Sequence, residues 1–410
     1  MMGKVHHTEL QKALLSINDK TYFVRYTEDE GASKAHMNYE LVEHKLMEHG
    51  LDGTNVPSIS KSTLPAHLKP GRDIKVVDSV KSGVGRGERE LYISVIKPLF
   101  DLLGIEHSYS KTVDEHSIPT LASQLDLSRD HTIVVLGGDT SIYELFNGLN
   151  AEYNGERHDI DVCIVPMGTG NALAVSQGLN DEFESIVNLL TAIAKSPLPL
   201  YKVVFPQGSK VASTGSPVKE MTFCIVVSFA IHAKIVHYSE KPEWKPFGAE
   251  RFKMAFAKAL EEPQGFKLKV SLKRPNGEVE PFTARQQHAY IDFVATPYLE
   301  KAYRISPRSQ LASPELYYVS FADQTKDELT KVVTQPYFNG AHIGNMSTEY
   351  KPVDQGSTAV IEIMEDDEDR TFTCVDGVIV SIPNPRGKKI LIKHFDTSGL
   401  HYAFNIVGLQ

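Results

Sequence analysis

Apolar positions between Ile74 and Ala194 fall into two alternating textures. Ile74-Lys75-Val76-Val77, Thr132-Ile133-Val134-Val135-Leu136 and Asp161-Val162-Cys163-Ile164-Val165 are near-continuous apolar runs, the pattern of strands covered on both faces in a parallel sheet. Between them apolar residues recur at helical spacing: Tyr92, Val95, Ile96, Leu99, Leu102 and Leu103, then Ile142, Leu145, Phe146 and Leu149, then the stretch Ser185 to Ala194. Pro98 is expected to kink the first of these helices. Ser141 with Glu144 has the spacing of a capping box at the start of the second. Repeated strand, turn and helix predict an open, doubly wound α/β domain over residues 71–197.

After Pro197-Leu198-Pro199 the texture changes to short β-rich runs: Phe223 to Val227, Tyr290 to Val294, Leu316 to Val319, Ala359 to Ile363, Phe372 to Val375 and Ile390 to Lys393. They predict a second, mostly antiparallel, β-sandwich-like domain over residues 198–410, with its last strands candidates for a return to the first domain. One helix is expected there, Glu250 to Leu260, with Phe252, Ala255, Phe256 and Leu260 on one face and packed on its own domain. The acidic run Glu365 to Asp369 lies between two strands and reads as a solvated hairpin loop rather than a metal site. Residues 1–70 form an extension without a motif, in which Tyr22 to Tyr26 reads as a strand and the rest is polar and helix-leaning.

Composition sharpens this in a few ways. With 410 residues, 41% hydrophobic and 23% charged, the chain is suited to two globular domains. Its net charge of -9 argues against a nucleic-acid footprint and against electrostatic attraction to an anionic membrane. Cys163, Cys224 and Cys374 lie in apolar runs without paired spacing, as small core residues in a reducing compartment. No apolar stretch follows Met1-Met2-Gly3-Lys4, Gly3 misses the myristoylation position, and no segment reaches the length of a membrane span. The expectation is a cytoplasmic protein without a signal peptide.

The candidate chemistry lies in two turns. Gly137-Gly138-Asp139 and Gly168-Thr169-Gly170-Asn171 each stand between an expected strand and helix, where backbone N–H groups can approach an anion and the helix dipole favours it. Either alone is equally well explained by the steric needs of a tight turn. Two on successive strands converge at the carboxyl ends of a doubly wound sheet, where ligands bind. Asp139 among such amides is electrostatically costly unless it accepts a proton from a substrate hydroxyl or holds a magnesium ion. The other reading is an N-cap of the following helix.

These turns, with Glu144 and Asn147-Gly148-Leu149 after the first and Pro166-Met167 and Ala172-Leu173-Ala174 flanking the second, resemble the diacylglycerol kinase catalytic domain shared by sphingosine, ceramide and diacylglycerol kinases. Ser82-Gly83 is similar to that family's first phosphate-contacting turn, with Ser79-Val80 where Asn-Pro is usual. In the second domain Ser228 to Ala233, Ser239-Glu240-Lys241 and Gly248-Ala249-Glu250-Arg251-Phe252 are similar to the segment with which sphingosine and ceramide kinases approach lipid and ATP. Val375-Asp376-Gly377 resembles the family's Asp-Gly-Glu element. The resemblance implies a nucleotide-binding α/β domain and ATP- and magnesium-dependent phosphorylation of a lipid hydroxyl, with peripheral membrane contact to collect the lipid. It makes Asp139 the general base and a metal ligand. It places Ser82, Gly83 and Thr112 near the nucleotide, together with Gly137, Gly138, Thr140 and Glu144. The second turn, Gly168, Thr169, Gly170 and Asn171, joins them, as do Arg251, which matches an arginine that contacts the triphosphate, and Asp376. Ser228, Val236, Phe252 and Phe256 fall on the lipid side. Thr112 reads equally as an ordinary exposed threonine, and Asp376 as a turn residue.

Three departures bear on activity. Thr140 stands where the family has glycine, and a β-branched residue suits a positive φ poorly; it reads alternatively as a helix cap. Val378 replaces the glutamate of Asp-Gly-Glu, removing a charge that a metal-phosphate site uses. Val236 replaces an aspartate of sphingosine kinases that pairs with a protonated amine, so ceramide or an acylglycerol suits the chain at least as well as sphingosine. An active lipid kinase is the leading reading; its rival is a pseudokinase that keeps nucleotide or lipid binding. A soluble acceptor, as in the NAD kinases with their glycine-aspartate turn, fits the second-domain segments less well.

Overall fold

The computed structural model describes residues 7–29, 35–45, 56–150, 153–244, 247–248 and 250–409. Met1 to Lys4 and Ala249 lie outside the described residues. The chain divides into two compact units, the first ending at Thr169 and regaining residues 177–197 and the segment from Leu400, the second made of residues 170–176 and 198–399.

Through residue 197 the strands are β1 (His7–Ile17), β2 (Lys20–Asp29), β3 (His36–Lys45), β4 (Ser58–Ile59), β5 (Asp73–Asp78), β6 (Ser108–Lys111), β7 (His131–Gly137), β8 (His158–Pro166) and β9 (Lys195–Pro197). The helices are α1 (Lys97–Leu103), α2 (Ser117–Ser123), α3 (Asp139–Gly148), α4 (Ala172–Ser176) and α5 (Glu182–Thr191). Beyond them come β10 (Tyr201–Val204), β11 (Lys210–Val211), β12 (Glu220–Phe223), β13 (Val226–Ala230), α6 (Ile231–Ser239), α7 (Glu250–Ala259), β14 (Phe266–Lys273), β15 (Val279–Pro281), β16 (Gln287–Val294) and β17 (Tyr317–Ala322). The chain closes with α8 (Lys326–Thr334), β18 (Thr348–Pro352), β19 (Thr358–Ile363), β20 (Thr373–Val375), β21 (Val378–Ser381), β22 (Lys389–His394) and β23 (Tyr402–Val407).

The first unit is built on a six-stranded sheet of order β6-β5-β7-β8-β23-β9, parallel except for β9. Every residue of β7 is buried, because both faces are covered. On one face Val76, Val134, Leu136, Cys163 and Val165 share a core with Leu99, Phe100 and Leu103 of α1 and with Phe183, Ile186 and Leu190 of α5. On the other, Phe146 of α3 meets Phe404 of β23 at 5.8 Å, and α2 presses so close to α3 that a Cβ at Gly148 would fall 2.8 Å from Pro119 Cα.

Several expectations are corrected in this unit. Among its described residues, the segment before Asp73 is built mainly of strands rather than helix. β1, β2 and β3 form an antiparallel sheet with β4 on its edge, and Leu14, Leu15, Tyr22 and Val24 enter the same core as α1 and α5. The hairpin is made by Asn18 and Asp19, both left-handed at φ 48 and 63, as a two-residue turn matched to strand twist requires. The kink at Pro98 is absorbed one turn earlier: Tyr92–Ile96 is a π-type turn, and the Lys97 N–H reaches back to Tyr92 O. Proline has no N–H to continue the ladder, and the wider turn redirects the chain before it. The Ser141/Glu144 capping box does not form. Asp139 and Thr140 are already helical, Gly138 is the N-cap, no side chain caps the helix, and Ser141 is buried within its first turn. α5 starts earlier than Ser185, where the Asp181 carboxylate accepts the Glu184 N–H at 2.8 Å.

The second unit is one antiparallel sheet of thirteen strands rather than two stacked sheets. Its continuity runs through β14, whose first residues pair with β16 and whose remainder pairs with β19. The expected strand Phe223 to Val227 is broken at Cys224-Ile225 into β12 and β13. Among the described residues beyond residue 198, three α-helices rather than one accompany the sheet. Of the two missed, α8 carried a readable signal, the Thr325/Glu328 capping box. α7 packs against α6, burying Ala255 and Ala259. The acidic run is not simply solvated: buried Glu365 accepts the Lys267 N–H at 2.9 Å and pairs with Arg370 at 3.4 Å. All three cysteines are buried. Among the described residues no helix is long and apolar enough to cross a membrane.

Candidate phosphate site

Three turns of the first unit interlock at the carboxyl ends of β5, β7 and β8. The Ser79 N–H donates to Leu136 O at 2.9 Å, tying the end of β5 to β7. Gly137 O in turn accepts the Met167 N–H at 2.9 Å and the Gly168 N–H at 3.1 Å, tying β7 to the turn after β8. Gly83 is left-handed at φ +63, and a Cβ there would sit 2.5 Å from Met167 O. A Cβ at Gly137 would meet Ser141 Oγ at 2.7 Å and Ser79 Cβ at 3.2 Å. Gly83 therefore needs glycine for backbone-to-backbone approach and Gly137 to clear the side chains of Ser141 and Ser79, and the gathered backbone has the form of an anion cradle expected at a switch in a parallel sheet.

Thr112, after β6, is drawn into this arrangement: its N–H donates to Asp78 O at 2.9 Å and its Oγ1 accepts the Val80 N–H at 3.2 Å. It is a brace of the first turn rather than an ordinary exposed threonine. Ser82 donates through its hydroxyl to Ser79 Oγ at 2.8 Å. Asp139 opens α3 as its first helical residue, where a negative charge is favoured by the helix dipole. Thr140 follows in helical conformation and is exposed. It is absent from the positive-φ residues, so its β-branched side chain strains nothing; nor does it cap the helix. Glu144 lies one turn on, its carboxyl pushed up to about 7 by burial and, secondarily, by Glu115.

Arg86 was not singled out from the sequence, yet it holds the cradle together. It is 7% exposed; Nε donates to Asp78 Oδ1 at 2.6 Å, while Nη2 donates to Ser79 O and Leu136 O, both at 2.8 Å. Tyr109 donates its hydroxyl to the other oxygen of Asp78 at 3.1 Å. Arg86 Nη1 is buried without a hydrogen-bond partner, an orphaned cationic donor beside the glycine turns that suits a phosphate. The only sequence signal was an arginine among glycines, and glycine-rich turns are usually exposed.

The division between the units falls inside the second turn, between Thr169 and Gly170. In the second unit Asn171 is left-handed at φ 53 and bridges to Glu300. Arg251 pairs with Glu240 at 3.1 Å and keeps a buried Nε without a partner. Phe252 and Phe256 are half-buried on α7, and Val236 packs with Ala233, Cys374 and Ile379. Ser228 is buried opposite Asp292 and Cys374 in the ladder. Asp376 is buried in a two-residue turn, its carboxylate accepting the N–H groups of Cys224, Ile225 and Val226. Val378 follows as the first residue of β21.

Glycine turns at the ends of neighbouring parallel strands, braced by a buried arginine, define an α/β domain with a candidate phosphate site. Residues 74–203 match the model of the diacylglycerol kinase catalytic domain. It is 27% identical over 143 residues to sphingosine kinase B of Dictyostelium discoideum, a stretch that makes up 35% of this chain and 19% of that relative. Among solved structures, a diacylglycerol kinase from Bacillus anthracis str. Sterne superposes with a TM-score of 0.50 at 15% identity, covering 83% of this chain and 97% of that one. Two structures of a candidate diacylglycerol kinase from the same organism give 0.55 and 0.54 at 15% and 16% identity, each covering 83% of this chain and 98% of its own. At such identity these similarities establish the fold.

Proposed function

We propose that the chain is a lipid kinase that transfers the γ-phosphoryl group of ATP, with Mg2+, to a hydroxyl of a long-chain lipid. The observation that carries this is the interlocked cradle of Gly83, Gly137 and Met167-Gly168 with the orphaned Arg86 Nη1 beside it. ATP supplies the phosphoryl group, and magnesium, which needs only one or two carboxylates when phosphates complete its shell, neutralises its charge. Asp139 is the carboxylate that would hold that ion, and it takes the proton of the acceptor hydroxyl as the new O–P bond forms and the bond from the γ-phosphorus to ADP breaks, ADP leaving. The cradle amides and Arg86 hold the phosphate oxygens, so that catalysis is mainly positioning and charge neutralisation. Ser82, Thr112, Glu144, the turn to Asn171 and Arg251 complete the nucleotide side in this reading, and Ser228, Val236, Phe252 and Phe256 the lipid side, while the buried Asp376 carboxylate, engaged by three backbone N–H groups, is structural. Because Val236 offers no carboxylate to an ammonium, a neutral lipid is the favoured acceptor. Exposed Phe338 and Met346 support peripheral membrane contact from a cytoplasmic location.

A second reading, nucleotide or lipid binding without turnover, rests on Val378. One experiment separates them: labelled ATP and magnesium with sphingosine, ceramide, diacylglycerol and NAD, beside Asp139→Asn. Transfer to a neutral lipid that falls by about 10²–10⁴ in the variant is expected. Nucleotide binding without transfer by the unaltered chain gives the second reading, and sphingosine outpacing every neutral lipid removes the assignment at Val236.

A further inference from the structure

β13 passes into α6 through Ala230 at φ 59 and ψ −137, a conformation reserved almost wholly for glycine and costing an L-residue about 1–3 kcal/mol. Such strain persists where the surroundings dictate it, and here it sets His232 in the first turn of α6, over β16. The imidazole lies flat on Tyr290, with ring centres 5.3 Å apart and planes 5° apart. Nδ1 is 2.8 Å from Asp292 Oδ1, and the Tyr290 hydroxyl donates to Asp292 Oδ2 at 2.5 Å. Asp292 is wholly buried, and a proton on Nδ1 answers its carboxylate; the tautomer with that proton presents Nε2 as an acceptor. The side chain of His232 is 17% exposed, and among the described residues its hydrogen bonds all run through Nδ1.

The cluster does not end at Asp292. Burial, with Asp292 beside it, keeps the Tyr290 hydroxyl protonated, and that side chain also hydrogen-bonds Tyr303. The Tyr303 N–H donates to Glu300 O at 3.0 Å, and Glu300 bridges to Asn171 of the second glycine turn. Side-chain contacts therefore run from His232 through Asp292 and Tyr290 to Tyr303, whose backbone neighbours Glu300, the residue that bridges to Asn171. Apolar packing would seat α6 on β16 at less desolvation cost. What that packing would not provide is an imidazole held in one orientation by a carboxylate and a stacked phenol.

We propose that His232 receives the head of the acceptor lipid, its Nε2 accepting a hydrogen bond from a hydroxyl or amide N–H of a neutral lipid, with Asp292, Tyr290 and Tyr303 as positioning residues. One turn along α6 stands apolar Val236, which adds no acceptor for an ammonium. The inference rests on the lipid-kinase reading and names the residue that reads its acceptor.

The test uses the full chain with short-chain fluorescent ceramide and short-chain diacylglycerol in mixed micelles as separate arms. Asparagine at the position keeps a donor for Asp292 but lacks a group at the Nε2 site, and glutamine reaches the Nε2 site. His232→Asn is expected to keep its melting temperature and nucleotide affinity and to lose about tenfold in lipid affinity, the effect of about one hydrogen bond; His232→Gln is expected to restore part of it. Unchanged lipid affinity in His232→Asn overturns the inference, as does a loss of nucleotide affinity and melting temperature in parallel. Capture of neither lipid by the unaltered chain also overturns it. Lipid capture that depends on His232 without phosphoryl transfer defeats the kinase reading alone, whereas transfer indifferent to His232 defeats this inference alone.

Discussion

Replacing Asp376 by alanine separates a structural carboxylate from a nucleotide-binding one. Asp376 at φ 44 and Gly377 at φ 91 make the two-residue turn between β20 and β21, the left-handed pair that a tight hairpin demands. The carboxylate then reaches across to the break between β12 and β13. Oδ2 accepts the Cys224 N–H at 2.8 Å; Oδ1 accepts those of Ile225 at 3.1 Å and Val226 at 2.8 Å. The residue is 3% exposed, so no water stands ready to replace it. Hydrogen bonds to a charged group contribute about 1.5–3 kcal/mol each, but three sharing one carboxylate are not additive. Leaving a buried polar cluster without its charged partner costs about 3–5 kcal/mol. At about 2–4 °C per kcal/mol for a unit of this size, the melting temperature of Asp376→Ala should fall by on the order of 10 °C. Asp376→Asn should lie between, because its amide nitrogen turns a donor toward a backbone donor. Urea unfolding with an unchanged slope checks the stability, and nucleotide affinity is measured on the folded protein. A melting temperature within about 2 °C of the parent, with nucleotide affinity reduced about tenfold, would refute the reasoning and put the carboxylate on the ligand.

Two further outcomes follow from the cradle. Gly83→Ala places a methyl group 2.5 Å from Met167 O in a left-handed backbone; the backbone alone costs about 1–2 kcal/mol, and displacement of the turn should weaken nucleotide binding about ten- to hundredfold, read by calorimetry. Glu144→Gln tests the raised carboxyl. With the folded value at about 7 against the ordinary 4.5 of a glutamate, the native state binds the proton more tightly, so stability is full at acid pH and is lost as pH rises through neutrality. The variant should match its parent near pH 4.5 and exceed it by about 1–3 kcal/mol at pH 8, and a difference that does not grow with pH would contradict the assignment.

The parallel strands were legible because their apolar runs need no partner to be recognised: β7 is buried on both faces and reads so residue by residue. The glycine turns were legible for a related reason, since close backbone approach leaves few alternatives to glycine. β1 was not. Its Gln11-Lys12-Ala13-Leu14 carries good helix formers, and what makes it a strand is a core supplied by α1 and α5, far along the chain. α6 was obscured in the same way, its helical spacing interrupted by His232, Lys234 and His237, of which Lys234 is buried by an ion pair with Glu262.

Arg86 and His232, which sequence reasoning overlooked, share one physical property: each is a largely enclosed polar group whose partners are remote. Arg86 finds Leu136 O fifty residues away, and His232 finds Asp292 at a separation of sixty. Burying such a group without its partner costs more than most single contacts contribute, so the partner must exist, but nothing local says where. The anomaly itself is nevertheless written in the chain. Tyr290-Ile291-Asp292-Phe293-Val294 is an apolar strand with a carboxylate at its centre, and an aspartate cannot occupy a core strand unanswered. Reading that residue as an unmet demand, rather than as a break in a hydrophobic pattern, would have marked β16 as the strand to which a histidine had to come.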